Sequence, residues 1–223
     1  LHLQIKFLLE TNSMKFIRNH WYDLGIIFFI AIVIFLFGNY GRLTKYQFLM
    51  WCSLASLFLH QLEEYRIPGT FPGMINTVVF KSMQPGRYPL NTNTSLIINV
   101  LEGWLLYFFA AFFSEKAVWL GITALMISLG NIIAHSFLFN IRGKTFYNAG
   151  MITCWLFFAP CIFFFFKIAN ETNLVTTKDA VIGILLGMIL NFLGVFKMIS
   201  WLADKNTKYI FPQRNLFLAD RVN

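Results

Sequence analysis

Charge is scarce in this chain. Charged residues make up 13% of its 223 positions, about half of the roughly 25% typical of soluble domains. Such a composition excludes an ordinary water-soluble globular domain and points to a polytopic membrane protein. Cysteine is scarce too. Cys52, Cys154 and Cys161 all lie inside apolar runs with no C-x-x-C spacing, which excludes a disulfide framework and a zinc knuckle and leaves small buried hydrophobes. Proline is rare, with four of the six crowded between positions 68 and 89. There is no G-x-S-x-G, Walker loop, H-E-x-x-H or dinucleotide fingerprint. The net charge of +8 comes without a basic helix or an RNA-binding aromatic motif, so nucleic acid is not an expected partner.

The chain is rich in apolar residues. They make up 57% of the sequence, 27 of them Phe, and mean hydropathy is +0.62. Since a bilayer core takes about 20 apolar residues as a helix, the runs predict an all-α bundle of six transmembrane helices. These cover about Leu24–Phe37, Tyr46–Glu64, Leu96–Phe113, Val118–Phe139, Ala149–Ile168 and Ala180–Leu202. The chain divides into an N-terminal segment (1–22), one membrane domain (23–204) and a basic tail (205–223). Met14-Lys15-Phe16-Ile17-Arg18 reads as a native start, which makes residues 1–13 an upstream extension. Lys and Arg gather in the N-terminal segment, the 65–95 and 140–148 connections and the tail. Only Arg42, Lys45, Lys116, Lys167 and Lys178 fall on the other side, so both termini are expected in the cytoplasm.

That alternation puts the rare polar groups in one layer. The second span ends with His60, Glu63 and Glu64, and the third begins with Asn99 and Glu102. The fourth ends with Asn131 and His135, and the fifth opens after Tyr147 and Asn148. At ~1.5 Å rise per residue, His60, Glu102 and His135 lie within about 10 Å of one membrane face. Ionisable groups in hydrocarbon are costly, and the default reading of such a cluster is a functional site. Two histidines and a carboxylate form the His₂Glu set of catalytic zinc. His60, Glu64 and His135 are the expected ligands, the i,i+4 spacing favouring Glu64; Glu63 shares that face and stays open as a ligand. Glu63 or Glu102 would be the general base or would hold an imidazole, and Tyr147, Asn148 or Arg142 would stabilise an oxyanion or bind a headgroup.

Blander readings attach to single residues. His135 beside Asn131 would be a hydrogen-bonded core histidine, and Glu102 would pair with an interfacial cation. Glu63 or Glu64 would pair with Arg66, and Asn191 would be interhelical glue. The Pro-Gly-rich connection 65–95, with a short interfacial helix over Met74–Met83, would be either a plain loop or a lid over the polar layer.

His60-Gln61-Leu62-Glu63-Glu64, followed by Pro68-Gly69 and Phe71-Pro72, resembles the HXXEE-domain family of small bacterial membrane proteins across about 45–202. His135 matches the family's second histidine. Tyr147-Asn148-Ala149-Gly150 matches its Y-x-P-G motif, with Ala149 in place of Pro. The resemblance implies a multi-pass protein of a bacterial cytoplasmic membrane and supports the site residues, but it assigns no reaction. The residues themselves predict a zinc-like hydrolase or acyl transferase acting on a lipid-like or amphipathic substrate. The alternatives are a di-iron oxidoreductase, a metal-free His/Glu acyl transferase and a proton-coupled transporter.

Overall fold

The computed structural model describes residues 12–221; most of the supposed extension 1–13 lies outside that range. The elements are α1 (Asn12–Gly38), α2 (Lys45–Tyr65), α3 (residues 71–79), α4 (Thr92–Lys116), α5 (Val118–Gly143), α6 (Met151–Thr172) and α7 (Thr177–Trp201). Two 3₁₀ turns, Gln213–Asn215 and Leu218–Asp220, follow. No strand occurs among the described residues.

Helix starts are set by side-chain caps. Thr44 and Gln47 form a capping box on α2, and Thr176 and Asp179 form one on α7. Asn91 Oδ1 accepts from the Asn93 and Thr94 amides at 3.0 Å to start α4. Each satisfies backbone donors that the first turn leaves orphaned. Asn91 explains why α4 starts four residues ahead of the apolar run beginning at Leu96.

Helices α2, α4, α5 and α6 form the central bundle, with α1 laid against α2 and α7 against α5. Helix α7 comes close because Gly183 and Gly187 face Ile122 and Met126, where a Cβ would collide. Small residues at such a contact let two helix backbones approach. Asn191 Nδ2 donates to the Met126 carbonyl at 3.0 Å, the interhelical bond expected of it.

Five helices, α1 and α4 to α7, are long and apolar enough to cross a membrane. The expected second span is present as α2 but is less apolar than these. The reason is its position: 14 of its 21 residues are buried, so protein rather than lipid surrounds it, and Ser, Gln, His and Glu find partners there. The outer faces of the flanking helices carry exposed phenylalanines such as Phe37, Phe112, Phe163 and Phe192. Helix α1 begins well ahead of the apolar run at Leu24, because Arg18, Trp21 and Tyr22 are buried against the connection and the tail.

Five helices contain π-helical turns, at Met74–Val79, Ile98–Trp104, Ala134–Leu138, Cys154–Phe158 and Leu190–Lys197. In α6 the cause is visible: Pro160 has no N–H to donate, and the wider turn precedes it.

Residues 66–91 fold into a built layer. Asn76 donates to the Pro85 and Leu90 carbonyls at 2.7 and 2.8 Å and accepts from the Leu90 amide at 2.9 Å. The tail lies across it: Asn215 Nδ2 donates to the Tyr65 and Gly69 carbonyls at 3.0 and 2.6 Å. Gly73 sits under Leu216 and Phe217 with no room for a Cβ. The short helix expected over Met74–Met83 forms three residues earlier, as α3.

Candidate functional site

Helix α2 presents His60 and Glu64 one turn apart, and the π turn of α5 presents His135 opposite them. Glu64 Oε1 lies 3.5 Å from His60 Nε2 and 3.3 Å from His135 Nε2. The imidazole rings stand edge to face with centroids 5.0 Å apart. Neither Nε2 makes a hydrogen bond, although both imidazoles are 2% exposed or less.

The outer nitrogens fix the tautomers. Asn148 Nδ2 donates to the His135 carbonyl and to Asn140 Oδ1, both at 2.7 Å, so Oδ1 is the end that faces His135 Nδ1 at 2.5 Å. That nitrogen must carry the proton. The Thr153 hydroxyl donates to Glu63 Oε2 at 2.6 Å and so accepts from His60 Nδ1 at 3.0 Å. With each Nδ1–H so placed, a neutral imidazole directs its Nε2 lone pair toward a carboxylate oxygen, and a protonated one donates to it. In the neutral forms three acceptors meet in a buried place and repel one another unless a cation lies between them. Two ligands at 2.0–2.2 Å from a tetrahedral zinc stand roughly 3.3–3.5 Å apart, the separation of each N···O pair here.

His60, His135 and Cys154 also each offer a ligand atom within 4.8 Å of the others. Cys154 Sγ, however, is 3.8 Å from His60 Nδ1, the nitrogen already bonded to Thr153. The free nitrogen of His60 faces Glu64 instead. Among the described cysteines all are free thiols, and Cys154 is buried in apolar core as well as beside the site.

The remaining predicted residues divide. Glu63 is not free to act as a base. It accepts from the Tyr147 hydroxyl (2.9 Å), the Ile152 and Thr153 amides (3.2 and 2.8 Å) and the Thr153 hydroxyl. It holds the start of α6 in place and, through Thr153, the proton on His60. Tyr147 and Asn148 likewise support the site instead of facing a substrate; burial and the Glu63 carboxylate push the Tyr147 phenol above its ordinary value, so it stays a donor. Arg142 is exposed, away from the imidazoles. Arg66 pairs with Asp23 at 3.3 Å, so the expected pairing with Glu63 or Glu64 does not form.

Glu102 has no cation partner. Both its oxygens are buried without a hydrogen bond, packed on Gly194 of α7, where a Cβ would strike the carboxyl. It lines a cavity of about 80 Å³ together with His60, Glu64, Asn99 and Asn131. Asn131 itself donates to Ile127 of its own helix at 3.1 Å, so it does not hold His135.

Reasoning from sequence missed several residues. Gly150, at φ +107°, leaves no room for a Cβ beside the His60 and His135 rings. Gln61 accepts from Trp104 at 2.7 Å and donates to Asn99 at 3.1 Å. Phe71 of α3 stacks on His135 with centroids 5.6 Å apart. Gln61, Phe71 and Gly150 all stand within the motif stretches of the family resemblance, which gave none of them a role. Of residues 66–91, Phe71 and Leu90 line the cavity beside this layer.

The stretch from Trp51 to Phe165, which holds every donor of this cluster, matches the family described as protein of unknown function with HXXEE motif (residues 51–165). The chain belongs to it. No curated protein and no solved structure matches the chain. In this member of the HXXEE family the motif's His60 and second Glu, Glu64, face His135, and its first Glu, Glu63, supports them.

Proposed function

We propose that this HXXEE protein is a membrane-embedded hydrolase or acyl transferase that holds one divalent cation, zinc-like, on His60, Glu64 and His135. The observation that carries the reading is the convergence of two buried Nε2 atoms, neither of them hydrogen-bonded, on Glu64 Oε1. Helix α2 is read as the sixth span, crossing inside the bundle; its 21 residues reach about 31 Å.

A cation there would act as a Lewis acid toward an ester or amide carbonyl. Asn148 and Thr153 keep the two imidazoles in the ligating tautomer, the usual task of groups behind a metal's ligands. Glu102 is the base, because it lines the cavity with neither oxygen engaged. It takes a proton from water as the water oxygen bonds to the acyl carbon, and returns it to the leaving group as that bond breaks. The cavity of about 80 Å³ has room for about three waters at ~30 Å³ each, so a substrate must displace part of its wall. Phe71 and Leu90 are the part of that wall that comes from the covering layer. A lipid-like substrate would arrive from the bilayer near the cytoplasmic face.

One ion is favoured over a di-iron pair because only Glu64 of the three glutamates faces both imidazoles. Metal content by plasma mass spectrometry tests the reading. Near one equivalent per chain, lost in His60→Ala, Glu64→Gln and His135→Ala, is expected. No metal in protein prepared without chelator would overturn it and leave a proton shared among the same three groups, the arrangement of a metal-free enzyme or a proton-coupled carrier.

A further inference from the structure

The phenol of Tyr65 takes no part in the chemistry above, yet it stands at the polar cavity with its hydroxyl hydrogen unspent. Tyr65 is 2% exposed. It ends α2 directly after Glu64 and lines the cavity of about 80 Å³ with His60, Glu64 and Glu102. Among the described residues its hydroxyl makes one hydrogen bond, to Asn99 Nδ2 at 3.2 Å. The direction of that bond is set two side chains away. An indole nitrogen can only donate, so Trp104 Nε1, donating at 2.7 Å, identifies the oxygen of Gln61. Gln61 Nε2 then donates to Asn99 Oδ1 at 3.1 Å. Asn99 Nδ2 is left to donate to Tyr65 Oη and, at 2.9 Å, to the Ser95 carbonyl. Tyr65 Oη is therefore an acceptor, and its own hydrogen has no acceptor among the described residues.

A donor left unpaired away from water costs free energy, so this hydrogen is kept for an oxygen that enters the cavity. The ring holds its place. It meets Trp21 and Phe71 edge to face, with centroids 4.8 and 5.7 Å apart, and stacks on Tyr22 at 5.9 Å. A donor fixed in advance is what charge developing on a carbonyl oxygen requires. Tyr147 and Asn148, the groups expected there from sequence, are spent on Glu63 and His135, and Arg142 is exposed.

We propose that Tyr65 is a catalytic residue of this site, its hydroxyl donating to the acyl oxygen of the substrate; this rests on the acyl-transfer reading of the site. As the water oxygen bonds to the acyl carbon, the carbonyl π electrons move onto that oxygen. The Tyr65 hydrogen bond strengthens on the growing charge without giving up its proton. On collapse the electron pair re-forms the carbonyl, and the leaving group departs with the proton that Glu102 took from water.

The test uses purified protein in neutral detergent, with p-nitrophenyl butyrate as the ester and butylphosphonate as an inert tetrahedral anion. Tyr65→Phe removes the hydroxyl and keeps the ring. Expected is a fall in kcat of about 100-fold, with KM and metal content near those of the parent. Butylphosphonate affinity, read from the thermal unfolding midpoint, should weaken about tenfold or more. Tyr40→Phe, an exposed phenol at the opposite end of the bundle, should match the parent in both. Parent-like kcat or butylphosphonate affinity in Tyr65→Phe overturns the assignment of Tyr65 whatever the metal content, as does the lack of a saturable butylphosphonate response in the parent. Metal absent from the parent, or hydrolysis that survives His60→Ala, overturns the reading of the site instead, and the butylphosphonate arm still decides Tyr65 on the same protein.

Discussion

The two ends of this bundle are built on different plans. At one end the helices are joined by short turns: residues 39–44 between α1 and α2, Ala117 between α4 and α5, and 173–176 between α6 and α7. The polar contacts there are few and exposed, such as the Lys45–Glu171 pair at 3.0 Å. At the other end, residues 66–91 and the tail make a folded cover, and the buried His, Glu, Asn and Thr side chains lie beneath it. Buried polar groups need partners, and short turns supply few. The extra chain at the second end is what lets ionisable residues be withdrawn from water and lipid alike.

Glycine substitutions should sharpen that contrast most. Gly150→Ala forces a Cβ into both imidazoles at φ +107°, adding overpacking of about 1–3 kcal/mol to backbone strain of about 1–3 kcal/mol. Gly41→Ala at the far end, with φ +82° and open space around it, carries only the strain. Chemical denaturation in detergent should therefore separate the two by about 1–3 kcal/mol. Equal losses would break the comparison.

A smaller effect is expected behind the imidazoles. Thr153→Val removes the hydroxyl that links Glu63 to His60 while keeping the side chain's shape. Metal affinity, read by competition with a chromophoric chelator, should fall about 10–100-fold with little change in helix content. An unchanged affinity would mean that the His60 tautomer is not set from Thr153.

The smallest effect belongs to the exposed pair. Lys45→Ala should change stability by less than about 1 kcal/mol, measured by the same denaturation, because both partners are in contact with solvent.

The sequence made the bundle legible, because long apolar runs and the alternation of membrane faces dictate it. It also brought His60, Glu64 and His135 to one place: i,i+4 spacing sets the first two, and depth in the membrane sets the third. It did not separate Glu63 from Glu64, since both share a face with His60. The separation comes from α6, whose first amides and Thr153 surround Glu63, and no pattern within α2 records that neighbour. For Glu102 the sequence offered a base, a support for an imidazole or an interfacial ion pair; the ion pair does not form, and the carboxyl packs on Gly194, a contact between α4 and α7 that periodicity does not encode. The reduced apolarity of α2 was not singled out in the sequence, and its cause, burial of 14 of its 21 residues, shows only in the fold.

The π turns carry a consequence for how such a chain tolerates insertion and deletion. Each is locally one residue longer than the α-helix it interrupts, and one residue in an α-helix corresponds to about 100° of rotation. Glu102, His135 and Asn191 all sit in such turns, so the face they present is out of phase with the rest of their helices. Loss of a single residue from 134–138 would leave α5 hydrophobic, helical and long enough to span, while turning one half of it against the other by that angle. The composition would be almost unchanged and the site would be gone.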